Sequence, residues 1–103
     1  MNWQQQSTEF AQKQNLTHAP SVYVLDLISE LGEVAKEVLL ATEYGERPFQ
    51  APETLAGELG DVLYSLCLLA TAVGVDLDEA LTQTLEKYAA RQQAKGHIGS
   101  AAS

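Results

Sequence analysis

Apolar residues recur at steps of three and four along most of this chain, the period of an amphipathic helix, and no strand-like alternation competes with it. Four helices are predicted. The first, about 3–15, sets Trp3, Phe10 and Leu16 among Gln and Lys and stops before the turn-like Thr17, His18, Ala19 and Pro20. The second, about 21–44, follows Pro20 and ends at Gly45, which can adopt the left-handed conformation that closes many helices. Its apolar face is Val24, Leu27, Ile28, Leu31, Val34, Ala35, Val38 and Leu39, and Glu30, Glu33 and Glu37 share the opposite side. The third, about 52–73, starts with Pro52 in its first turn and Glu53 near the positive end of the helix dipole, and Gly74 closes it. Its apolar positions are dense enough to predict burial against more than one neighbour. The fourth, about 76–95, opens on Asp76 and Glu79, a capping pattern in which each carboxylate serves a backbone N–H of the first turn. Leu77, Ala80, Leu81, Thr84, Leu85, Tyr88 and Ala89 form its expected inner face. The fold class is therefore all-α and four-helix bundle-like, one domain over 1–103 with a core at 20–95 and a flexible tail at 96–103.

Size changes this picture first. A chain of 103 residues with 46% apolar composition is globular, but a domain this short buries a modest share of its surface alone, so a second subunit is expected to help. Charge narrows the partners: six basic against fourteen acidic residues give −8, the wrong sign for binding nucleic acid or an anionic membrane. No uninterrupted apolar run approaches the roughly 20 residues of a spanning helix. The segment MNWQQQSTEF lacks the basic start and apolar core of a secretory signal, so a cytoplasmic location is expected. The one cysteine, Cys67, lies in the apolar run LYSLCLLATAV and reads as a buried thiol.

The candidate chemistry lies in carboxylates. Glu30 with Glu33, and Glu58 with Asp61, stand three residues apart, so each pair projects from one side of its helix. Like charges at that spacing repel, and the second pair sits in an otherwise apolar stretch, which points to a compensating cation. Carboxylate oxygens suit Mg²⁺ or Mn²⁺ shared with phosphate. Zinc is disfavoured because the two histidines, His18 and His97, lie outside the acidic helices, and no Glu-x-x-His pair supports a di-iron bundle. Glu37, Glu43 and Glu46 read as isolated solvent-facing acids.

The segments SELGEVAKEVL and GELGDVLYSLCLLATAVGVDLDEAL together resemble the MazG-like nucleotide pyrophosphohydrolases, marked by Glu-x-x-Glu on one helix and Glu-x-x-Asp on the next. The resemblance runs from about Pro20 to Arg91. It implies an all-α homodimer or dimer of dimers that hydrolyses nucleoside triphosphates to monophosphate and pyrophosphate with Mg²⁺, held by Glu30, Glu33, Glu58 and Asp61. Where many relatives carry a further acid before the first motif, this chain has Ser29, and metal number or affinity is open to change.

On this reading the four acids hold metal, and a glutamate of the first pair, Glu30 or Glu33, also orients or deprotonates the attacking water. Lys87 and Arg91, one turn apart on the last helix, are candidates for phosphate contacts; their alternative is to complement the helix dipole. Trp3, Phe10, Phe49 and Tyr88 are the aromatic choices for a base platform, and Trp3 with the His18 turn resembles elements lining the nucleotide site in relatives. His18 otherwise reads as a turn residue. Two alternatives stay open: a non-catalytic helical module whose acidic groove binds a basic partner, and the same fold acting on a phosphoribosyl adenine nucleotide.

Overall fold

A computed structural model describes residues 1–95 and shows four helices among them: α1 (Trp3–Lys13), α2 (Pro20–Ala41), α3 (Leu55–Ala72) and α4 (Leu77–Lys95). The expected tail at 96–103, with His97, lies outside the described residues. No strand occurs among the described residues, and the architecture is all-α.

Helix ends differ from expectation by three residues or fewer, each for a local reason. α1 starts one residue after Asn2, whose side chain accepts from the Gln5 N–H while Gln5 Oε1 accepts from the Asn2 N–H, a reciprocal cap that the sequence reading did not anticipate. α2 begins at Pro20 itself, which needs no N–H partner there. It ends at Ala41 rather than Tyr44: Thr42 turns its hydroxyl back to the carbonyls of Val38 and Leu39 (3.1 and 3.2 Å), and Glu43, Tyr44 and Gly45 all take positive φ (48°, 58° and 90°). α3 starts at Leu55, so Pro52 precedes it, giving its carbonyl to the Leu55 N–H instead of forming the first turn. The cap of α4 is half of the expected one, since Asp76 Oδ1 accepts from the N–H groups of Asp78 and Glu79 (2.9 and 3.2 Å).

α3 is the central helix, packed by α2 on one side and α1 on the other. By length and composition alone it could cross a membrane (18 residues, mean hydropathy 1.4). Here it supplies most of the core: Cys67, Leu68 and Ala70 are buried, with Tyr23 from α2 and Ala11 from α1. Tyr64 and Leu69 pack against that cluster, and Phe10 meets Tyr64 edge-on at 6.1 Å. The Tyr23 hydroxyl accepts from the His18 N–H at 2.7 Å and reaches the Leu16 carbonyl at 3.4 Å, which ties the α1–α2 turn to the core. Gln4 joins α1 to the α3–α4 turn, donating to Thr71 Oγ1 and the Val75 carbonyl and accepting from the Leu77 N–H.

The face that α2 buries is not the one predicted. Its covered residues are Tyr23, Leu27, Glu30, Val34, Glu37 and Ala41, at alternating steps of four and three, whereas Ile28 and Leu31 remain 61% and 51% exposed. Periodicity determines which residues share a face, not which face meets a neighbour of the same chain. α4 shows the same departure, with Leu81 and Leu85 exposed despite their place on the expected inner face.

Candidate active site

α2 and α3 run antiparallel, and their register sets what faces what. Tyr23 meets Leu68 at the end beside α1; seven residues later along α2, Glu30 lies with Asp61, and seven beyond that Glu37 meets Thr54. The seam is thus apolar at one end and acidic at the other. Glu58 stands in the first turn of α3 and Asp61 one turn further, so both lie toward the end of the hairpin where residues 42–54 connect the two helices.

Glu30, Glu58 and Asp61 each offer a carboxylate oxygen, and the three atoms lie within 4.8 Å of one another. Glu30 and Glu58 are half-buried and Asp61 is exposed. Oxygens on opposite sides of a six-coordinate Mg²⁺ stand about 4.2 Å apart, so a small side-chain adjustment would bring this trio around one ion. The donor set is all oxygen, which fits a hard cation. Loss of water pushes the Glu58 carboxyl above its usual range, and the charges of Glu33, Asp61, Glu30 and Glu37 push it further. Among the described residues no basic side chain is ion-paired with these acids: the two ion pairs there, Lys13–Glu9 and Arg47–Glu43, lie elsewhere.

Of the four acids singled out by sequence, three form the trio, and the fourth, Glu33, is an exposed neighbour whose charge acts on Glu58. The remaining candidates are not gathered here. Trp3 is 69% exposed at the start of α1, beside the Thr71 end of α3; Thr71 is 13 residues from Glu58, roughly 20 Å along the axis. His18 sits in the α1–α2 turn with its ring edge-on to Tyr23 at 6.0 Å, at the apolar end of the seam. Lys87 and Arg91 lie on the distal half of α4, and neither forms an ion pair with a carboxylate among the described residues. Lys87 Nζ stands 5.3 Å from the Tyr88 ring, and Arg91 Nη1 is buried without a hydrogen-bond partner. Glu37, read from sequence as a solvent-facing acid, is half-buried and accepts a hydrogen bond from Thr54. Its signal was available in the seven-residue step from Glu30, the repeat of a helix–helix seam.

A helical hairpin that collects carboxylates from both arms at one end defines an all-α protein suited to a divalent cation. The profile of the MazG nucleotide pyrophosphohydrolase domain matches residues 18–95. The uncharacterized protein YpjD of Bacillus subtilis is 36% identical over 78 residues, covering 73% of this chain and 68% of that protein. The crystal structure of YpjD, described as a candidate pyrophosphatase, superposes with a TM-score of 0.67 at 31% identity, covering 82% of this chain and 86% of that one. The chain belongs to the MazG nucleotide pyrophosphohydrolase family.

Proposed function

We propose that this protein hydrolyses nucleoside triphosphates, canonical or modified, to nucleoside monophosphate and pyrophosphate in a Mg²⁺-dependent reaction, Mn²⁺ being able to substitute, and so serves to cleanse the nucleotide pool. The observation that carries this reading is the trio of Glu30, Glu58 and Asp61, whose carboxylate oxygens lie within 4.8 Å of one another and which form no ion pair among the described residues. A divalent ion bound there would neutralise triphosphate charge and lower the pKa of a water for attack between the α and β phosphates. Glu30, Glu58 and Asp61 would hold the ion. Glu33, exposed at the edge of the trio, is free to orient that water or take its proton. Arg91, with a donor left unpaired, and Lys87 would bind phosphate oxygens.

Within one chain Trp3 lies far from the trio, and among the described residues α4 is hydrogen-bonded to α1 and its cap only near its own start, through Leu77 and Asp78. Those groups serve the reaction if a second copy supplies them, which makes the working enzyme a homodimer or dimer of dimers. Two quantities support this. The accessible surface is 7411 Å², against about 5,700 Å² for a compact monomer of this mass, and the radius of gyration is 16.8 Å, against about 13 Å. The exposed stripe of Ile28 and Leu31 on α2, with Leu81 and Leu85 on α4, is the surface a second copy would cover.

Pyrophosphate release from a panel of canonical and modified NTPs and dNTPs with Mg²⁺ tests the proposal, with Glu58→Gln and Asp61→Asn alongside. Release by the wild type that both variants lose is the expected result. Cleavage of a phosphoribosyl adenine nucleotide with no action on free triphosphates would move the substrate, and no release from any nucleotide would return the acidic groove to a binding role.

A further inference from the structure

Glu30, Glu33 and Glu37 share one side of α2, but only Glu37 is hydrogen-bonded: Thr54 Oγ1 donates to Glu37 Oε2 at 3.1 Å. Thr54 precedes the first residue of α3 with a backbone that is already helical (φ −73°, ψ −15°), so its hydroxyl is not set, as on an extended N-cap residue, to cap the free N–H groups of its own helix. It makes no such bond, although α1 has a complete reciprocal cap and Asp76 caps α4. The Thr54 hydroxyl is turned across the hairpin instead. Among the described residues this is the one side-chain hydrogen bond that joins α2 to α3 directly.

Its location matters more than its strength. Thr54 is four residues before Glu58 and Glu37 seven after Glu30, so the bond lies just beyond the carboxylate trio, at the end of the hairpin where residues 42–54 connect α2 to α3. That is where α3 begins and where helices fray. The charges of Glu30, Glu33, Glu58 and Asp61 also push the two arms apart there.

We propose that Glu37 and Thr54 form a clasp that holds the first turn of α3 against α2 and thereby sets the spacing of Glu30, Glu58 and Asp61 for a divalent cation. The inference rests on the metal-site reading above and deepens it. Both are positioning residues, and Glu37 acts as an acceptor for the hydroxyl rather than through its charge.

The test is Mn²⁺ alone, without nucleotide, titrated into the full chain and followed by the electron paramagnetic resonance of the free ion. Thermal unfolding in chelator runs in parallel. Thr54→Val and Glu37→Ala each weaken Mn²⁺ binding by about 10- to 100-fold, and the double variant is no weaker than either single one. Thr54→Ser keeps the hydroxyl and Glu37→Gln keeps an acceptor oxygen, so both bind close to wild type. A Glu37→Gln variant as weak as Glu37→Ala would assign the effect to charge and overturn the clasp. So would a Thr54→Val variant that binds like wild type, including one whose only change is a lower unfolding midpoint in chelator. If Glu37→Ala does not fold, Thr54→Val and Glu37→Gln decide between these outcomes. Wild-type protein that binds no Mn²⁺ would remove the metal reading itself and the clasp with it, whereas wild-type binding with unaltered variants removes the clasp alone.

Discussion

The α2–α3 hairpin packs Tyr23 and Leu68 with Ala11 at its unconnected end beside α1, while two turns further along the same seam, toward the connecting loop, it gathers Glu30, Glu58 and Asp61. The register is continuous through both halves, yet the forces differ. At the first end apolar surface is removed from water, Phe10 meets Tyr64 edge-on, and the Tyr23 hydroxyl binds the turn that leads into α2. At the other end like charges meet at a distance that favours separation, and one neutral-to-charged hydrogen bond spans the gap. The apolar half holds the helices in register whether or not a cation is present, so the acidic half can keep a repulsive arrangement.

Substitutions at the two ends should therefore separate function from stability. The largest expected effect is at the acidic end: Glu30→Gln should lower kcat/KM for the proposed triphosphate substrate by about 100- to 1,000-fold, with circular dichroism and the unfolding midpoint in chelator close to wild type. A loss of fold in that variant would break the division. At the apolar end, Leu68→Ala should cost about 2–4 kcal/mol in urea denaturation, because Leu68 is 6% exposed and its neighbours cannot fully collapse into the space. Mn²⁺ affinity of its folded fraction should be unchanged, and a parallel loss of affinity would mean that the halves are coupled. Tyr23→Phe, which removes the hydroxyl bound to the His18 N–H, should cost about 1 kcal/mol by the same measurement.

The smallest effect concerns pH. The Glu58 carboxyl binds its proton more tightly in the folded chain than in the unfolded one, chiefly through lost hydration and then through Glu33, Asp61, Glu30 and Glu37. Its contribution to stability is therefore fully present below the ordinary glutamate pKa and is lost as pH rises through the elevated one. In chelator, wild-type protein should lose stability relative to Glu58→Gln over that window. Curves of equal slope for the two proteins would show that neither lost hydration nor the neighbouring charges raise the proton affinity of Glu58 in the folded chain.

Much of the candidate site was legible because its signal is local. Spacings of three within SELGEVAKEVL and GELGDVLYSL place Glu30 beside Glu33 and Glu58 beside Asp61 on any helix, with no knowledge of what packs against it. The resemblance of those segments to MazG-like proteins pointed to the family that the domain profile and YpjD then supported. Glu37 was less accessible: read alone it is one more exposed acid, and its hydrogen bond is to Thr54, 17 residues away in sequence. Trp3 and His18 were chosen by residue type and by a resemblance in placement, Lys87 and Arg91 by residue type and their spacing of one turn, and nothing local specifies how far each stands from the carboxylates.

The sequence by itself determined four helices, their approximate ends, a buried Cys67 and two pairs of acids, since helical period and turn chemistry act within a few residues. Tertiary structure decided which face of α2 meets α3. The seam through Tyr23, Leu27, Glu30, Val34, Glu37 and Ala41 turns the acids toward α3 and leaves Ile28 and Leu31 outside. An amphipathic pattern is satisfied by any apolar surface, including one on a second subunit, so periodicity alone leaves that choice open. Packing settles it by the register of two particular helices, and that register brings Glu30, Glu58 and Asp61 within reach of one ion.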